Sequence, residues 1–204
     1  MSAKGYEMAD PLYFSLWFSS FDVDDMLPQA LTVLQQFPFS AIRPGIAGLV
    51  LAPVSWNEPT ILERRFNPGI SPEEAILIAS DLLHEDYAYV FDAYWDLWTT
   101  PEGSSEWVLT PAKVQFIVHG LEFDDGVYQQ EGHIKVDFGL DSQFLQEQMQ
   151  LTPEAEAKVK INVQKLVGFS TRVEQNSGAT ARVLWSESDE NLAQKLINRI
   201  QRVQ

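Results

Sequence analysis

Between Tyr87 and Leu97 every second residue is apolar or aromatic: Tyr87, Tyr89, Phe91, Ala93, Trp95 and Leu97. A period of two sets all of them on one face of an extended strand and sets Asp92, Tyr94, Asp96 and Trp98 on the other. Phe91, Tyr94, Trp95 and Trp98 also fall three and four apart, as on a helix. Aromatic residues suit the pleated surface, however, and the alternation is unbroken, so a strand is expected. A strand this apolar on one face requires neighbours in a sheet and a layer of structure over that face, which excludes an all-helical fold.

The flanking segments supply both. Leu12, Phe14, Leu16 and Phe18 alternate with Tyr13, Ser15, Trp17 and Ser19 in a strand over 12–19. A helix follows, capped by Asp24 or Asp25, with Pro28 in its first turn and Met26, Leu27, Ala30, Leu31, Leu34 and Phe37 inward. Residues 46–56 and 60–66 read as strands around a turn at 57–59. Ser71, Pro72 and Glu74 spell a capping box at the start of a helix that runs to His84. The order β-α-β-β-α-β over 12–98, with right-handed crossovers, folds most simply into a ferredoxin-like unit. In that unit the strand over 87–98 lies beside the strand over 12–19.

The second half reads differently. Strands over 112–123 and 131–140 flank a two-residue turn at Asp125-Gly126, which would pair Phe123 with Tyr128 and Ile117 with Ile134. Thr152 and Pro153 open a long helix with Val159, Val163, Leu166, Val167, Ser170 and Val173 as its stripe. A short strand over 179–185 and a helix capped by Ser188, with Leu192, Leu196, Ile197 and Ile200 inward, close the chain. The expected class is therefore α+β: a ferredoxin-like βαββαβ unit over 1–100 and a ββαβα unit over 107–204, packed as two halves of one compact protein. The segment 99–106 is the expected boundary.

Charge narrows the partners. The chain of 204 residues has a net charge of −15, and the 47 residues between Arg65 and Lys113 contain nine carboxylates and no Lys or Arg. Such a field repels a phosphate backbone and an anionic membrane surface, so neither nucleic acid nor membrane is an expected partner. There is no cysteine, which removes disulfides, thiolate metal sites and a cysteine nucleophile. With no apolar run at the start and none of membrane length, a cytoplasmic protein is expected.

The sequence carries no phosphate-binding loop, nucleophile elbow or metal-ligand spacing, so no catalytic residue, metal or cofactor is assigned. His119 shares a face with Ile117, Leu121 and Phe123 and is expected as a hydrogen-bonded core residue; His133 is expected exposed beside Lys135 and Asp137. Asp124-Asp125-Gly126 lacks the remaining ligands of a calcium loop. What stands out is the second face of the aromatic strand. Tyr13 and Trp17 are expected to join Asp92, Tyr94, Asp96 and Trp98 there, in a surface too aromatic to be left bare. Three uses are weighed. A non-catalytic acidic protein, by analogy an inhibitor or immunity-type protein, would bind a basic protein partner. A small-molecule binder or enzyme would have its site between the halves, with Asp92, Asp96 and His119. A structural subunit would form a homodimer through this face.

Overall fold

The computed structural model describes residues 9–101, 104–145, 151–187, 192 and 195–197. Seven strands form one antiparallel sheet: β1 (Pro11–Trp17), β2 (Ile46–Pro53), β3 (Leu62–Ile70), β4 (Tyr87–Thr99), β5 (Val108–His119), β6 (Ile134–Leu140) and β7 (Ala181–Ser186). Their order across the sheet is β3-β2-β4-β5-β6-β1-β7. Helices α1 (Val23–Leu34), α2 (Pro72–Ser80) and α5 (Pro153–Asn176) bury their apolar stripes in one core cluster with Phe14, Tyr89, Phe91, Trp95, Phe116 and Val136 of the sheet. The result is two layers, helices over one sheet face.

The strand expected over 87–98 is β4, and its faces divide as the alternation requires: Trp95 is 0% exposed, while Tyr94 and Trp98, on the alternate face, are half-buried. Trp95 sits in a ring cluster with Phe37 at 5.4 Å and Phe138 at 5.2 Å. The arrangement around β4 corrects the ferredoxin-like strand order. β4 lies between β2 and β5, and β1 lies between β6 and β7. Two strands of the second half separate the pair expected to touch. The physical reason is length: β5 pairs with β4 along Ala88–Thr99, a ladder that a seven-residue β1 could not match. Segment 99–106 is the connection of this long hairpin, and strands from both sides of it share one sheet and one core.

Local signals mostly hold, with shifts. Ser71 caps α2 in a full capping box with Glu74. Thr152 caps α5. For α1 the cap is Asp22, which accepts from the amides of Asp24 and Asp25, so Pro28 lies two or three positions deeper than expected, in the second turn. On α5 the inward stripe uses Asn162 and Phe169, whereas Val167 is 38% exposed. In the closing segment Leu192 and Leu196 are buried but Ile197 is 45% exposed; Ser188 and Ile200 lie outside the described residues.

The expected turn at Asp125-Gly126 does not join two strands. β5 ends at His119, and residues 120–133 form a strap containing a 3-10 turn (Phe123–Asp125) and the short helix α3 (Tyr128–Glu131). The register also shifts by one: Ile117 faces Lys135, and Val118 faces Ile134. Gly120 explains the break, because a Cβ there would sit 2.1 Å from the Glu85 carbonyl oxygen. The chain leaves the sheet at that close approach. A small α4 (Ser142–Leu145) follows β6.

β2 pairs with β4 only as far as Ala93, so the outer edge of β4 from Tyr94 onward has no strand beside it. Other groups satisfy it. The Tyr94 carbonyl accepts from the Ser40 amide at 2.7 Å, and the Asp96 carbonyl from Lys165 Nζ at 2.5 Å. Asn162 of α5 acts as a substitute strand. Its Oδ1 accepts from the Trp98 amide at 2.9 Å and its Nδ2 donates to the Trp98 carbonyl at 2.8 Å.

Candidate functional site

All six residues expected on the second sheet face are on it, but not as one cluster. Tyr13 and Trp17 on β1 are separated from Asp92, Tyr94, Asp96 and Trp98 on β4 by the widths of β5 and β6. The intervening strands bring in Lys135, expected beside Asp137, and Lys113, which sequence reasoning did not place here. Lys113 Nζ lies 2.9 Å from Asp92 Oδ2, and Gln115 Nε2 donates to Asp92 Oδ1 at 2.8 Å. Asp96 is also engaged, accepting from Ser40 Oγ at 2.5 Å and the Ala41 amide at 2.9 Å. Three rings carry cations: Arg43 over Tyr94 at 3.7 Å, Lys158 over Trp98 at 3.3 Å and Lys135 5.0 Å from Tyr13. Trp185 of β7, also missed, lies 4.7 Å from Tyr13 and donates its Nε1 to Ser15 Oγ at 2.9 Å. Alternation of Ala181, Val183 and Trp185 was its available signal. Burial, with Asp137, Glu187 and Glu131 nearby, pushes the Tyr13 phenol up.

The strap over 120–133 covers one corner of this face. Trp17 Nε1 donates to the Tyr128 carbonyl at 2.9 Å and Ser15 Oγ to the Glu131 carbonyl at 2.6 Å. Under the strap lie two buried histidines. His119 is 0% exposed, as a core residue should be. Its Nδ1 lies 2.8 Å from the Gly132 carbonyl and must carry the proton, because a carbonyl only accepts. Its Nε2 has no hydrogen-bond partner among the described residues and lies 3.9 Å from Glu131 Oε2, which is itself paired with Lys135. Burial holds the His119 pKa below the usual range. His133 corrects the expectation of exposure. It is 7% exposed, stacked between Phe21 at 4.5 Å and Tyr128 at 4.7 Å, and its Nδ1 accepts from the Phe18 amide at 3.0 Å. Burial, reinforced by His119, lowers its pKa to about 4. The missed cause is the strap, whose Tyr128 was expected to pair with Phe123 across the turn and instead opens α3.

His119 faces Ala88 at the start of β4, whereas Asp92 and Asp96 lie four and eight residues further along it. The three therefore do not converge into one catalytic group. Among the described residues no set of three or more His, Asp and Glu side chains is placed to hold a metal. No helix among them is long and apolar enough to cross a membrane.

The topology gathers carboxylates elsewhere. The β1–α1, β2–β3, α2–β4, β5–β6 and α5–β7 connections all fall at one end of the sheet, and none contains Lys or Arg. Asp22, with Asp24 and Asp25 in the first turn of α1, comes from the first. Glu58 comes from the second, Asp81, Glu85 and Asp86 from the third, and Glu122, Asp124 and Asp125 from the fourth. Backbone hydrogen bonds knit three of these loops: Val54 amide to Asp86 carbonyl at 2.7 Å, Glu122 amide to Glu85 carbonyl at 3.0 Å, and Asp124 amide to Val54 carbonyl at 2.7 Å. Val54, Asp124 and Asp125, the non-glycine residues with positive φ among the described residues, meet here. A β-branched residue at φ 60 is strained. Beside it, Trp56 is 43% exposed, with its ring edge-on to Phe123 at 4.9 Å.

No family model, no curated protein and no solved structure matches this chain.

Proposed function

We propose that this chain is a non-catalytic binding protein that engages a basic protein partner through the carboxylate-rich end of its sheet. The observation that carries this is the convergence of five connections without a single Lys or Arg. Carboxylates far apart in sequence, from Asp22 to Asp125, add to one field, which accelerates encounter with a cationic surface. Exposed Trp56 supplies the rigid apolar contact that anchors such complexes. The face bearing Asp92 and Asp96 is less suited to a basic partner, since those carboxylates already hold Lys113, Ser40 and Ala41.

The test is capture of basic proteins from native lysate at low and at high salt, followed by association kinetics on the strongest. Asp124→Asn with Asp125→Asn removes two charges while keeping residues that tolerate positive φ. Association is expected to slow with rising salt and again in the double variant, with dissociation nearly unchanged. Binding indifferent to both salt and the substitutions would reject the proposal.

A further inference from the structure

The sheet face opposite the helices carries a different pattern from the acidic end. Along one cross-strand row run Asp92, Gln115 and Asp137, continuing to Tyr13 and Trp185. Lys113, opposite Tyr94, lies in the row on one side of it, and Lys135, opposite Ile117, in the row on the other. Counting Asp92, Asp96, Asp137, Glu131 and Glu187 against Lys113, Lys135, Arg43 and Lys158, the face holds five carboxylates and four cations, so it is close to neutral in a chain of net charge −15. It is also apolar at its margins: Leu109, opposite Trp98, is 45% exposed, and Val183, opposite Ser15, is 48% exposed.

We infer that this face is the contact surface between two copies of the chain. Two molecules of this net charge repel through most approaches, the acidic end above all. A face that is close to neutral, aromatic and signed in alternate rows avoids that repulsion. It is complementary to itself: a two-fold axis lying between the Asp92 row and the Lys113 row, roughly 7 Å apart, sets each copy's exposed Lys113 towards the other's carboxylate row, while Lys135 stays with Glu131. The size is adequate as well. Six strands, β2 to β7 in spatial order, at about 4.8 Å spacing, and about seven residues of strand length give roughly 550 Å² in projection, less the corner under the strap, which falls toward the lower end of specific interfaces at ~1,000 Å² in total. A basic partner has no such preference for a nearly neutral face. A homodimer would leave both acidic ends free, giving the proposed function two binding sites per particle.

The experiment is sedimentation equilibrium on the full chain at low and high salt. The wild type is expected to dimerise, with a dissociation constant that falls roughly tenfold as salt rises, because screening relieves repulsion between like-charged chains. Leu109→Glu with Val183→Glu is expected to weaken the dimer roughly a hundredfold with an unchanged circular dichroism spectrum and unfolding midpoint. Should that variant fold poorly, Lys113→Glu, on a side chain 46% exposed, is expected to weaken it in the same direction. A chain that stays monomeric at about 100 μM in all salts, a dimer loosened by salt, or a dimer untouched in a folded variant each overturns the inference. Basic-partner binding is measured on the same variants and should not change, so failure of the dimer and failure of the acidic-end proposal are told apart.

Discussion

His133 shows how a single residue can acquire a pH dependence that its neighbours in sequence do not announce. Its Nδ1 accepts the Phe18 amide, and protonation turns that acceptor into a second donor. The folded pKa is about 4 against 6.5 for the free side chain. A depressed pKa means that the unfolded chain binds more protons between those values. Its contribution is therefore fully present above about pH 6.5 and is lost as pH falls through about 4, amounting to about 3 kcal/mol. His119, also lowered, acts in the same direction. Denaturant unfolding followed from pH 7 to pH 4 is expected to show stability dropping, and His133→Phe should flatten that slope while lowering stability at pH 7. An unaltered slope in the variant would mean that the loss arises elsewhere.

At the scale of elements, the edge of β4 is held by side chains where a strand would ordinarily serve. Asn162→Leu keeps the bulk of the side chain but strands the Trp98 amide and carbonyl, and is expected to cost about 2–3 kcal/mol by chemical denaturation. A cost near zero would show that water serves that edge equally well. This role was not legible in the sequence: Asn162 sits inside a helical stripe of valines, and nothing local marks it as a partner for residue 98. Elements defined by their own residues were legible. The β4 alternation, the Ser71 capping box and the Thr152 cap each carry their cause within a few positions. Elements that depend on distant approach were not. The strap over 120–133 exists because Gly120 must pass the Glu85 carbonyl, and that contact displaced the expected turn, shifted the register and buried His133.

For the whole molecule the same division holds. The class, mixed helix and strand, and the sidedness of the aromatic face followed from periodicity, so the six candidate residues share a face. Their neighbours did not follow, because strand order is decided by long-range pairing that no local pattern encodes. The position of β1 has a consequence for how the protein is made. Tyr13 pairs with Asp137 and Trp185, so β1 leaves the ribosome about 170 residues ahead of its second neighbour. At about 5–20 residues per second this is a wait on the order of 10–30 s with Phe14 and Leu16 unsheltered. Nascent chains arrested before residue 178 should accordingly be cut by protease within 11–17 and bind chaperone there, whereas released full-length chains should resist; equal resistance in the arrested chains would mean that β1 finds another shelter first. A strand one place in from the sheet edge is thus the one that waits longest for the neighbour that covers its side.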